Sequence, residues 1–176
     1  MKRPLAFLLP IVLLWGCRSV DSVEGSTAPE FLVPADSAAQ SLPFSEAVRV
    51  DNVLYLSGQI GLAPGTLDLV PGGIEAEAAQ TLDNIQSVLE RHGSSLDEVF
   101  KCTVFLADIA EWPAFNEVYR EYFSPPYPAR SALAASGLAL GASVEVECLA
   151  YAPDAERPSR ASATARMPIW SVRRPS

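Results

Sequence analysis

Hydrophobic positions between residues 42 and 152 follow two rhythms, and each change of rhythm marks a new element. Ala47–Val50 and Val53–Ser57 read as strands joined by Asp51-Asn52, a turn pair that tolerates left-handed backbone. Residues 58–73 are loop-rich, with turns at Pro64-Gly65 and Pro71-Gly72-Gly73. Ile74, Ala78, Leu82, Ile85 and Leu89 then recur at steps of three and four, which predicts a helix over 74–91 that Gly93 terminates. Val99–Leu106 is an apolar strand. Asp108 can cap a second helix over 110–123, whose Phe115, Val118, Tyr119 and Tyr122 share a face. A proline-rich break at 124–128 precedes a short strand over 130–135. The last strand, 142–152, alternates so that Val144, Val146 and Cys148 face one way and Glu145 and Glu147 the other.

The order β-β-α-β-α-β-β predicts an α+β domain over 31–153, with both helices on one face of a mixed sheet. The second face then needs a cover. Gly, Ala and Leu around 132–142 are apolar enough to belong to a surface between subunits.

The ends read differently. Lys2 and Arg3 precede an apolar run, Leu5–Trp15, too short to span a bilayer, so residues 1–16 are expected to be a signal peptide. Gly16-Cys17 resembles a bacterial lipoprotein cleavage box, which implies acylation at Cys17. Arg18 rather than an aspartate then suggests an outer-membrane destination on the periplasmic side. Residues 17–30 read as a lipidated tether and 154–176 as a disordered basic tail, with five arginines against Asp154 and Glu156.

The net charge of −8, near −10 without residues 1–16, disfavours nucleic acid as a partner. The single histidine, His92, lies at a helix end, so Ser-His-Asp and Cys-His devices are not expected. Three scattered cysteines give no metal-ligand spacing, and Gly58, Gly61 and Gly65 form no phosphate-binding loop. No metal or organic cofactor is expected. Cys102 and Cys148 lie in strands and read either as a disulfide or as two buried thiols.

The segments Leu56-Ser57-Gly58-Gln59-Ile60, Gln80-Thr81-Leu82-Asp83-Asn84-Ile85, Lys101-Cys102-Thr103-Val104-Phe105-Leu106, Pro128-Ala129-Arg130-Ser131 and Gly141-Ala142-Ser143-Val144-Glu145-Val146-Glu147, with Asn116 and Tyr119, resemble the Rid (YjgF) family of reactive-intermediate deaminases from Leu42 to Ala152. That resemblance implies a chorismate-mutase-like (ferredoxin-like) fold and a homotrimer with sites in clefts between subunits. It also implies cofactor-free hydrolysis of 2-imino acids or enamines to 2-keto acids and ammonia.

Carried over by position, the resemblance assigns Arg130 to the substrate carboxylate and Glu145 to the attacking water. Ser57, Gly58 and Asn116 line the pocket, with Phe44 where that branch usually has a tyrosine and Ala132 where it often has a cysteine. The residue types suit this chemistry, since arginine offers a planar donor fork to a carboxylate and glutamate relays a proton. Ribonuclease activity, also attached to the family, is disfavoured by the acidic charge and the absence of a histidine pair. The alternative function is non-catalytic binding or sensing of small keto or imino acids at the cell envelope.

Overall fold

The computed structural model describes residues 28–34 and 42–152. The expected signal peptide, Cys17 with most of its tether, and the basic tail lie outside the described residues. The elements are β1 (Glu30–Leu32), β2 (Ala47–Val50), β3 (Val53–Leu56), β4 (Gln59–Ile60), α1 (Gly73–Arg91), β5 (Val99–Leu106), α2 (Trp112–Tyr122), β6 (Ala129–Ala134) and β7 (Val144–Tyr151).

The strands form one mixed sheet in the order β1-β2-β3-β7-β5-β6, with β4 also paired to β7. Only β5 and β6 run parallel; the other pairs are antiparallel. Both helices supply the core on one face, where Leu82, Ile85, Leu89 and Phe115 pack with Leu54, Val104, Leu106, Val144 and Val146. The Tyr122 hydroxyl ties α2 to α1 by donating to Ala79 O (3.1 Å) and Asp83 Oδ1 (2.8 Å). Its pKa is pushed up to about 12 by burial and by its bond to Asp83.

The rhythm-based elements appear with edges that match or shift by at most two residues. Asp51 adopts positive φ in the hairpin turn between β2 and β3, and Gly93 does so after α1. Asp108 caps a 3-10 turn, Ile109–Glu111, by accepting from Ala110 N, so the regular helix begins only at Trp112.

Two strands correct the expected order. Residue 30, placed in the tether, begins β1, where Glu30 pairs with Arg49 across the strands (3.5 Å). The stretch 58–73, read as loop, contains β4, which pairs Gln59 with Val146 and Ile60 with Glu145. A two-residue strand is too short to leave a periodic signal. Cys102 and Cys148 face each other in register on β5 and β7 and form a disulfide inside the core.

Candidate active site

Arg130 lies on β6, an edge strand, in register with the buried Cys102, so its side chain runs over the helical face of the sheet. Three residues of α2 hold it there. Asn116, buried on the inner side of that helix, accepts from Arg130 Nη2 at 2.6 Å. The guanidinium stands 4.6 Å from the ring centre of Tyr119 and 5.6 Å from that of Phe115. Among the described residues Asn116 is the one hydrogen-bond partner of the guanidinium, which leaves most of its donor fork for a ligand.

Two clefts open at this arginine. One, of about 530 Å³, is lined by Ile109, Ala110, Trp112, Pro113 and Ala132. The other, of about 390 Å³, is lined by Trp112, Asn116, Tyr119 and Tyr127. The Tyr119 hydroxyl is buried without a hydrogen-bond partner among the described residues. Burial raises its pKa, and the Arg130 charge pulls it the other way. A third cleft, of about 460 Å³, lies between α1 and the 62–67 loop and touches neither Arg130 nor Glu145.

Glu145 sits elsewhere. It alternates with the buried Val144 and Val146, so it points away from the helices. Gly58 packs directly on its carboxylate: a Cβ at position 58 would overlap Oε1 and stand 2.9 Å from Cδ. Half-burial raises the Glu145 pKa first, and the charge of Glu147 adds to the rise.

Ser57, expected as a pocket wall, is tied down beside it. Its Oγ donates to Ser45 O (2.6 Å) and its N–H to Glu46 O (3.0 Å). Phe44 is 53% exposed on the segment so fastened.

The predicted residues therefore fall into two groups, Arg130 with Asn116 and Ala132, and Glu145 with Ser57, Gly58 and the Phe44 segment. β5 separates β6, which carries Arg130, from β7, which carries Glu145. Along β5, Arg130 aligns with Cys102 and Glu145 with Phe105. Two strand spacings and three residues put their Cα atoms roughly 14 Å apart.

Trp112 and Tyr127 were not expected at the site. Trp112 had a signal, since it lies one helical turn before Asn116 and so shares its side of α2. Tyr127, in an irregular segment, had none.

Residues 35–152 match the family described as Endoribonuclease L-PSP. The 2-iminobutanoate/2-iminopropanoate deaminase of Bos taurus is 41% identical over 125 residues, covering 71% of this chain and 91% of the relative. The deaminase of the same description from Capra hircus is 45% identical over 108 residues, 61% of this chain and 79% of the relative. Among solved structures, RidA from an Antarctic Psychrobacter superposes with a TM-score of 0.61 at 39% identity, covering 68% of this chain and 93% of the other. A Rid-family protein of Yersinia pestis gives 0.66 at 36% identity, covering 70% and 99%. The chain belongs to the Endoribonuclease L-PSP family, which is the Rid (YjgF) family that its motifs resemble.

Proposed function

We propose that this protein hydrolyses 2-imino acids and their enamine tautomers to 2-keto acids and ammonia, at sites that two copies of the chain complete. The observation that carries this reading is Arg130, held by Asn116 and Tyr119 with its donor fork open, in a chain whose relatives are imine deaminases.

Arg130 binds the substrate carboxylate and so fixes the imine carbon beside it. Each charge-assisted bond contributes about 1.5–3 kcal/mol. Glu145 takes a proton from water as the oxygen attacks that carbon. Glu145 returns that proton to nitrogen, and the hydroxyl proton of the tetrahedral adduct follows it there as the adduct collapses: the C–N bond breaks, ammonia leaves and the carbonyl forms. Burial suits Glu145 to this work, because a carboxyl raised above its ordinary value is a stronger base near neutrality.

A small imino acid cannot span roughly 14 Å and two faces of a sheet. Arg130 of one copy therefore works with Glu145 of another. The sheet face that carries Glu145 also exposes Tyr55, Leu133 and Tyr151, apolar surface that neighbouring copies cover in the expected trimer.

The expected lipid anchor at Cys17 and periplasmic address belong to the same proposal. The Cys102–Cys148 disulfide supports them, because such bonds persist in oxidising compartments.

The test is hydrolysis of 2-iminopropanoate, generated in place by an amino-acid oxidase, with the full chain and its Arg130→Ala variant. Acceleration by the wild type, lost in the variant, is the expected result. Binding of pyruvate without acceleration would replace this reading with non-catalytic binding of keto acids.

A further inference from the structure

Glu46 is a buried carboxylate far from Arg130 that the chemistry above does not use. It is 7% exposed, and two side chains from the end of α1, the Arg91 guanidinium and the His92 imidazole, hold it. Arg91 Nη2 donates to its Oε2 at 2.6 Å and Arg91 Nε to its Oε1 at 3.3 Å, while His92 Nε2 lies 2.7 Å from Oε1. Arg49 of β2 donates to His92 O (2.6 Å) and pairs with Glu30 of β1, so the helix end is fastened from two strands.

The backbone of the same residue leads to the site. Glu46 N donates to Leu32 O (2.9 Å), and Glu46 O accepts from Ser57 N. Ser45 O, one residue earlier, accepts the Ser57 hydroxyl. Gly58 follows Ser57 and covers the Glu145 carboxylate. A rigid path thus runs from α1 through Glu46 and Ser57 to Gly58 and ends on the group proposed to handle water.

We infer that Glu46 is a positioning residue: clamped by Arg91 and His92, it holds Ser57 and Gly58 against Glu145 and so sets how much water reaches that carboxylate. The Glu46 carboxylate is out of water while the Arg91 side chain is still 39% exposed, so Arg91 acts through the fixed geometry of its two bonds more than through a charge attraction that solvent screens. Here the geometry fixed is that of Gly58, which packs on the Glu145 carboxylate.

This rests on the proposed role of Glu145, but it has a readout that needs no turnover. The acidity of Glu145 reports how well Gly58 excludes water. Its charged neighbour is Glu147 on β7; β4 brings Gln59 and Ile60, and β5 brings Thr103 and Phe105. Lys101, farther along β5, is engaged with Ser131 Oγ and Cys102 O.

The experiment is a carbon-13 titration of side-chain carboxyls in the full chain and in Glu46→Ala and Glu46→Gln, with the Glu145 signal identified by its loss in Glu145→Gln. We expect the Glu145 midpoint to fall toward the ordinary carboxylate range in Glu46→Ala. Glu46→Gln, which keeps an acceptor oxygen for Arg91, should fall less. In deamination, kcat should drop about tenfold or more with KM changed less, because misplacement near the reacting groups costs rate.

Should Glu46→Ala fail to fold, Arg91→Gln, which leaves His92 as the one clamp, reads the same quantity. An unmoved midpoint in a folded variant overturns the inference. A moved midpoint in a protein that turns over no imine supports it and overturns the deaminase reading alone.

Discussion

Arg130 and Glu145 stand on opposite faces of one sheet, with β5 between their strands. If one site needs both, each copy supplies half of two different sites. Arg130→Ala and Glu145→Gln should each lose at least about 100-fold in kcat/KM, the equivalent of one or two charge-assisted bonds. Mixed at equal amounts and reassembled, the two inactive variants should recover about a quarter of wild-type activity. Random assembly returns an intact arginine and an intact glutamate to about one interface in four. An assay of the mixture that stays at the level of either parent would mean that one copy provides the whole site.

Gly58 gives a second prediction, in which activity and stability separate. A Cβ there meets the far end of the Glu145 side chain, which can swing away, and not backbone. Gly58→Ala should therefore cost only about 1 kcal/mol in urea unfolding. Deamination should nevertheless fall at least about tenfold, since the displaced group is the one that positions water. Loss of stability in proportion to loss of activity would show that Gly58 serves the fold instead.

The pH dependence follows from the same contact. Burial, and then Glu147, raises the Glu145 pKa, so its basic form is lost at a higher pH than for an ordinary carboxylate. The acid limb of kcat/KM should lie above the ordinary carboxylate range. Glu147→Gln should move it down without abolishing turnover. The stability effect has the opposite sign to the usual carboxylate case. A folded pKa above the unfolded one means that the folded state binds the proton more tightly, so this contribution is present at low pH and is lost as pH rises through the raised value. An acid limb unchanged in Glu147→Gln would remove Glu147 from the account.

Much of the fold was legible because burial imposes periods. The steps from Ala78 to Leu89 and the alternation from Val144 to Cys148 each record one buried face. What lay outside that record was set by single contacts. β4 is two residues long, and β1 is an edge strand whose Phe31 is exposed. Arg130 and Glu145 were legible as residue types in recognisable segments. Their separation was not, since strand order is decided by pairings that no local pattern encodes. Glu46, Arg91 and His92 were invisible together, being 45 and 46 residues apart in sequence. His92 did prove to be the helix-end residue its neighbour Gly93 suggested.

The disulfide supplies the last prediction. Cys102 and Cys148 join β5 to β7, the strands that lie beside Arg130 and that carry Glu145, and close a loop of 46 residues. Constraining the unfolded chain over that span contributes about 3–4 kcal/mol. Cys102→Ala with Cys148→Ala should lower the stability read from the urea midpoint by about that much, or somewhat more, because two side chains with 0% and 1% exposure also leave space behind. Full reduction of the wild type should reproduce most of the loss. Because reduction leaves the two faces of the sheet and their side chains in place, the reduced protein should still turn over imine while folded. Thiol counting by mass on protein taken from the cell envelope and from cytosolic expression then separates two cases. A bonded pair in the first and free thiols in the second would fit an exported enzyme. Free thiols in both would show that the native core works with two thiols, and that the bond is no guide to the compartment.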